Sequence, residues 1–234
     1  MKIEEGKSLG IAGESGCGKS TLALSMMGYY FAPLHYISGD IIVDGKNISN
    51  MKAEEVRKNI LGSEIAYIPQ AAMNALNPTQ KVISLIQDVI LAHDPKVTKK
   101  DIHNLARERF ELLGLPPEVL EKHAVELSGG MKKRVSLARA IAFEPKILLY
   151  DEPSSGLDPV TSAKIDELIV QMQKLLGVTS IVVTHDMKSA FYIADRIAML
   201  YQGEMIAIGT PDEIRNSTDS RVLEFINVSQ IRKR

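Results

Sequence analysis

Short apolar runs alternate with helical spacings along most of the chain. Residues 8–12 read as a strand, and residues 18–27 as the helix that follows it. Residues 36–43 alternate apolar and polar positions and run into Asp44-Gly45, a turn pair, which predicts an antiparallel hairpin with the next segment. Residues 65–68 form another strand, stopped by Pro69. From residue 71 to 140 the β signal nearly vanishes. Residues 82–92, 99–113 and 117–123 carry apolar positions at helical spacing, punctuated by Pro78, Pro95 and the Pro116-Pro117 pair. Strand and helix patterns then resume: strand 146–150, helix 159–176, strand 180–184, helix 186–194, and a hairpin over 196–208 turning at Gln202-Gly203. A short helix from Pro211 and an amphipathic tail close the chain. This order predicts an α/β fold with a mostly parallel sheet. The α/β core is expected over 1–70 and 141–215, a helical subdomain over 71–140, and a tail over 216–234.

Composition changes the picture only by exclusion. The chain has 234 residues, 28 Lys plus Arg against 29 Asp plus Glu, and a formal net charge of −1, so no basic field points to nucleic acid. Forty-five per cent hydrophobic and 24% charged residues are ordinary for a globular protein. One cysteine, Cys17, allows no intramolecular disulfide and suits a reducing compartment. Apolar runs are strand-length, far below the ~20 residues of a membrane helix. The first residues, Met-Lys-Ile-Glu-Glu-Gly, lack the apolar stretch of a signal peptide. A cytoplasmic protein is expected.

Gly13-Glu14-Ser15-Gly16-Cys17-Gly18-Lys19-Ser20 matches G-x-x-x-x-G-K-[ST], between a predicted strand and a predicted helix. Glycines there let the backbone curl so that successive N–H groups face phosphate oxygens, and the helix N-terminus adds partial positive charge. Lys19 is placed to reach the β- and γ-phosphates, Ser20 to ligate Mg²⁺, and Thr21 to close the loop. Cys17 sits where a thiol is readily activated, but its side chain is read as merely filling a variable position.

Residues 147–152, Ile-Leu-Leu-Tyr-Asp-Glu, form a continuous apolar run ending in two acids. Such a run marks a strand buried on both faces, whose C-terminal end is where α/β folds bind ligands. Asp151 is expected in the Mg²⁺ shell and Glu152 beside the γ-phosphate, polarising a water. Leu127-Ser128-Gly129-Gly130-Met131 is a second glycine-rich turn opening a helix over 131–143, with Ser128 a good cap.

With Gln70 after a strand, Ser155-Gly156-Leu157-Asp158 after the acids, and His185 after residues 181–184, the whole chain resembles the ABC-type ATPases. That resemblance implies a P-loop NTPase, RecA-like core with a small antiparallel β region. It implies hydrolysis of ATP with Mg²⁺ between two subunits, driving membrane-spanning transporter subunits from the inner face of the cell membrane. It gives Gln70 to Mg²⁺ or the attacking water, and Ser128, Gly129 and Gly130 to the γ-phosphate held by the partner. It gives Asp158 to communication across the dimer and His185 to the γ-phosphate. The other histidines, His35, His93, His103 and His123, are assigned to surface or packing. Repair and chromosome-organising relatives carry long coiled coils or zinc modules between these motifs, for which this chain has neither heptads nor cysteine pairs.

Three features depart from the family pattern. Met131 stands where many members carry Gln. The chain has only residues 1–12 ahead of Gly13, where members generally carry two further strands and an aromatic that stacks on adenine; no aromatic precedes Tyr29. The trio Tyr29-Tyr30-Phe31 is read as packing, so weak discrimination between ATP and GTP is expected, along with self-association through an unpaired edge near 36–43. Finally, residues 10–127, including Gln70 to Pro78, resemble dipeptide and oligopeptide importer ATPases. From Met131 onward the chain resembles those of phospholipid-trafficking (Mla-type) importers. A joined chimera with a shortened N-terminus accounts for both anomalies, and leaves as an alternative a folded domain that binds nucleotide weakly.

Overall fold

The computed structural model describes residues 1–28, 30, 32, 34–70 and 76–231, with side chains to residue 227. Its strands are β1 (Ser8–Gly13), β2 (Ile42–Val43), β3 (Lys46–Asn47), β4 (Ile65–Ile68), β5 (Ile147–Asp151), β6 (Thr179–Thr184), β7 (Arg196–Tyr201) and β8 (Glu204–Gly209). Six of them form one sheet in the order β4-β5-β6-β1-β7-β8. All pairings are parallel except the last, the β7–β8 hairpin. Every residue of β1 and β6 is buried, the expected outcome for unbroken apolar runs covered by helices on both faces. The expected α/β architecture with a mostly parallel sheet is therefore the one found.

The helices are α1 (Lys19–Met26), α2 (Ala53–Asn59), α3 (Val82–His93), α4 (Lys99–Leu112), α5 (Gly129–Ala140), α6 (Pro159–Leu176), α7 (Met187–Ile193), α8 (Pro211–Arg215) and α9 (Ser220–Ile231). Helix α6 shows why its bounds were readable. Asp158 accepts hydrogen bonds from the N–H groups of Val160 and Thr161 at 3.0 Å, Pro159 occupies the first turn, and Gly177 closes the helix at φ 65°.

Helices α3, α4 and α5 bury Ile86, Ile90, Ile102, Ala106, Phe110 and Val135 in a cluster that continues beneath β5 (Leu148, Tyr150) and α6 (Ile165, Ile169). The helical region thus shares one core with a face of the sheet. His93 adds a polar link: its Nδ1 lies 3.0 Å from the Val89 carbonyl oxygen and its Nε2 2.9 Å from that of Leu61, just before β4. The ring presses on Gly62, where a Cβ would come within 2.5 Å of it and where φ is +88°.

Three expectations need correction. The strand expected over 36–43 survives only as Ile42–Val43, paired with Lys46–Asn47 around Asp44 (φ 48°) and Gly45 (φ 74°). The turn pair read correctly, since positive φ at both positions makes a type I′ hairpin. Ile41 extends it by one bond, its carbonyl accepting the Ile48 N–H at 2.8 Å, but residues 36–40 do not join: Gly39 bends the chain at φ 106°, the Tyr36 hydroxyl donates to its carbonyl at 2.6 Å, and Ile37 is 91% exposed. Residues 117–123 form only a 3-10 turn, Pro117–Glu121, because the chain turns extended at Lys122, whose carbonyl accepts the Val82 N–H at 2.9 Å. The helix expected from residue 131 to 143 begins at Gly129 and ends at Ala140, its start set by Ser128, whose Oγ accepts from the Met131 N–H at 3.3 Å. Tyr29, Phe31 and residues 71–75 of the motif after Gln70 lie outside the described residues.

Phe110 is fully buried where α4 meets this shared core. Phe110→Ala is expected to cost about 3–5 kcal/mol of stability, read as a lowered midpoint in denaturant unfolding with little change in slope.

Candidate functional site

The register of the parallel strands brings the ends of β1, β5 and β6 together: Ala12 is level with Thr184, and Asp151 with Val183. Everything chemically notable gathers at that edge. The chain leaves β1 at Gly13, where a Cβ would lie 2.2 Å from the Leu200 carbonyl oxygen and 2.9 Å from Cys17 Sγ, so no side chain fits. Gly16 (φ 83°) and Gly18 (φ 97°) then take the left-handed backbone that reverses the chain into α1. Gly18 caps α1 without a side-chain acceptor, and the first turn of α1 holds no acid. Its N–H groups therefore favour an outside anion.

Lys19 is buried, and its ammonium donates to the carbonyls of Gly13 at 2.9 Å and Glu14 at 2.6 Å, bracing the loop from within. Cys17 is buried too: its thiol faces Gly13, and its carbonyl accepts the Gly203 N–H at 3.1 Å, joining the loop to the β7–β8 turn. Glu14, Ser15, Gly16, Ser20 and Thr21 are exposed on the outer side.

Asp151 ends β5 with both carboxylate oxygens engaged. Ser20 Oγ donates to Oδ1 and the Tyr67 hydroxyl to Oδ2, each at 3.0 Å. Burial, reinforced by the Asp151 charge, pushes the Tyr67 phenol well above its ordinary range, so it stays a proton donor. Glu152 breaks from the strand at φ 49°, a strained conformation for a non-glycine residue, held by its N–H donating to the Val183 carbonyl at 2.8 Å. That twist turns its buried carboxylate toward β6, where Oε2 accepts from His185 Nδ1 at 2.7 Å and lies 3.5 Å from Thr184 Oγ1. His185 is 58% exposed, with its second ring nitrogen free of the acid.

Gln70 follows β4 across the same edge. Its side-chain amide reaches Ser155 Oγ at 3.5 Å, and its backbone carbonyl accepts from Lys133 Nζ at 3.2 Å. Lys133 on α5 belongs to none of the motifs read from the sequence, where it is one of three consecutive bases, Lys132-Lys133-Arg134; yet it is only 2% exposed. Burial lowers its pKa, while the charges of Glu152 and Asp151 pull it back up. The hint in the sequence was its place in the helix, four residues before buried Leu137 and so on the same face.

Ser128, Gly129 and Gly130 form a separate group at the start of α5. Gly130 abuts α6: a Cβ there would lie 3.2 Å from Thr161 Cγ2. Asp158 is committed to capping α6, and those hydrogen bonds, Thr161's foremost, hold its carboxyl below the usual range. Among the described residues no hydrogen bond joins this group to the loop over 13–21. One chain thus assembles the loop, the acid pair, Gln70 and His185, and carries the second glycine turn apart from them.

Residues 1–155 match the ABC transporter family. The chain belongs to that family. Among curated ABC proteins it is 38% identical over 215 residues to the dipeptide transport ATP-binding protein DppD of Caldanaerobacter subterraneus, covering 92% of this chain and 66% of the relative. It is 39% identical to the oligopeptide transport ATP-binding protein OppD of Bacillus subtilis, covering 91% of this chain and 60% of the relative. A choline transport ATP-binding protein, OpuBA of the same organism, is 36% identical over 99% of this chain and 58% of its own length. The chain spans roughly three-fifths to two-thirds of the length of these relatives. Among solved structures, a dimeric ATP-binding cassette bound to ADP and Pi superposes with a TM-score of 0.78 at 27% identity, covering 90% of this chain and 88% of that one. A second structure, cbiO1 from Clostridium perfringens, described as part of the ABC transporter complex cbiONQ, gives a TM-score of 0.79 at 30% identity, covering 99% of this chain and 87% of that one. The fold is that of an ABC cassette, a P-loop NTPase α/β domain.

Gly13 is the tightest point of this cassette's loop. Gly13→Ala is expected to cost about 1–3 kcal/mol from overpacking against Leu200, and to weaken nucleoside triphosphate binding, as calorimetric titration and thermal melting together would show.

Proposed function

We propose that this chain binds ATP with Mg²⁺ and hydrolyses it to ADP and phosphate, as the nucleotide-handling subunit of a membrane transporter. The observation that carries this reading is the acid pair beside the phosphate loop, with Asp151 held by Ser20 and Glu152 held by His185. The loop N–H groups, the uncapped start of α1 and Lys19 suit the triphosphate. Ser20 Oγ and Asp151 Oδ1, two hard oxygen donors 3.0 Å apart, suit Mg²⁺, with Gln70 beside them at the same edge. When bound, Mg²⁺ neutralises charge on the β- and γ-phosphates.

Glu152 is the group that takes up and orients the attacking water. His185 Nδ1–H keeps its carboxylate turned to the site and leaves the outer face of the imidazole toward the γ-phosphate. Ser128, Gly129 and Gly130 have no phosphate in their own subunit to cap, so the reading places them over the nucleotide of a second copy, with Asp158 beside them at the joint. Met131 leaves that turn intact, since its backbone N–H is what Ser128 holds. The helical region over 71–140 is read as the part that carries this turn, and residues 1–70 with 141–215 as the core.

No helix among the described residues is long and apolar enough to cross a membrane, so transporter subunits that do cross are the expected partners, with this subunit on their cytoplasmic side. No nucleic-acid partner is proposed. The finer division, a phospholipid-importer C-terminal half joined near the signature turn, has only the residues from Met131 onward in its favour. The dipeptide- and oligopeptide-type relatives run through both halves in one alignment, at 38% and 39% identity.

Glu152→Gln is expected to retain ATP binding while lowering turnover by about 10²–10⁴-fold, the usual contribution of a positioned general base. Calorimetric titration with ATP and Mg²⁺, alongside phosphate release, reads both. Turnover close to that of the unmodified chain in this variant removes Glu152 from the reaction, and absence of ATP binding by the unmodified chain leaves the weakly binding alternative. Lys19→Ala is expected to abolish binding, since its ammonium both braces the loop and meets the phosphates.

A further inference from the structure

Lys133 is a charged side chain among the buried residues of α5. It lies one turn into α5, the helix that Ser128 caps, and is 2% exposed. An ammonium this deep needs an acceptor and a compensating charge, because burying it unpaired costs several kcal/mol. The structure supplies both. Nζ donates to the Gln70 backbone carbonyl at 3.2 Å, and the nearby carboxylates of Glu152 and Asp151 stabilise its charge. Gln70 in turn touches Ser155, on the segment that follows the acid pair.

One side chain therefore links three parts: the helix behind the signature turn, the backbone at Gln70, and the acid pair of the same subunit. A neutral residue of similar length would fill the space but leave the Gln70 carbonyl without its donor and the two acids without the neighbouring positive charge.

We propose that Lys133 is a positioning residue that ties the position of the signature helix to Gln70 and to the water-activating carboxylate in its own subunit. When α5 moves to engage a second copy's nucleotide, the Lys133 ammonium carries Gln70 with it. The two sites of the proposed sandwich are then linked through a bond inside each chain as well as across the joint. This inference rests on the hydrolytic reading above.

Steady-state ATP hydrolysis tests it in the full chain with Lys133→Met, Lys133→Arg, Gln70→Ala and the double variant Lys133→Met/Gln70→Ala. Lys133→Met is expected to lower kcat by about tenfold, the scale of one lost charge-assisted hydrogen bond, while KM for ATP stays within about twofold. Lys133→Arg, which keeps the charge and a donor, is expected to recover most of that loss. The double variant is expected to be little slower than Gln70→Ala, because alanine keeps the backbone carbonyl that Lys133 holds but removes the side-chain amide whose placement that bond sets. A purely structural role would instead give additive losses that track a fall in thermal midpoint.

A Lys133→Met enzyme with unchanged kcat, or strictly additive losses in the double variant, overturns the proposal. If Lys133→Met does not fold, Lys133→Gln, shorter and uncharged, replaces it with the same expected fall and the same overturning result. Failure of the unmodified chain to hydrolyse ATP would strike the hydrolytic reading instead, a result separate from both.

Discussion

The site depends on one constraint: five strands run parallel in a register that ends three of them level with one another. Ala12 opposite Thr184 and Asp151 opposite Val183 leave the ends of β1, β5 and β6 in a row. From those ends the chain releases the phosphate loop, the acid pair and His185 side by side. Slipping β5 by one residue would reverse every side chain on it and turn Asp151 toward the opposite face. The buried apolar faces of β1, β5 and β6 therefore do more than stabilise the fold, since they fix where the carboxylates stand.

Around that row, polar groups hold one another in a chain of contacts. Ser20 and Tyr67 occupy the two oxygens of Asp151, His185 holds Glu152, and Lys133 places its charge behind both acids. The left-handed backbone at Glu152 is a local cost that these contacts and the Val183 carbonyl offset. Without that twist the carboxylate would continue the alternation of β5 into its packed surroundings.

Much of this was legible in the sequence because the informative residues act locally. Glycines, a lysine and a hydroxyl at fixed offsets define the phosphate loop, and unbroken apolar runs define buried parallel strands. Asp158-Pro159 at one end and Gly177 at the other define α6 to the residue. What was illegible depends on partners distant in sequence. Alternation over residues 36–43 suggested a strand, but a strand exists only where another pairs with it, and only residues 41–43 found a partner. Lys133 stood in no motif, one of three consecutive bases, until the fold brought Gln70 over it. His93 looked incidental until Leu61 and Val89 offered their carbonyls to its ring. Tyr67 read as a strand residue, and only the pairing of β4 with β5 sets it beside Asp151.

The contact between the Cys17 carbonyl and the Gly203 N–H bears on how this protein is engineered. Gln202-Gly203 is an exposed two-residue hairpin turn of the kind usually chosen for inserting a tag or a fluorescent domain. Here Gly203 is also a strut for the phosphate loop, so lengthening that turn would loosen the loop at the end of neighbouring β1. The Asp44-Gly45 turn is exposed as well, and its tether to the body is a salt bridge at the surface, Asp44 to Lys146. An insert is better tolerated there, because a surface ion pair contributes little to stability and none of its atoms supports the loop.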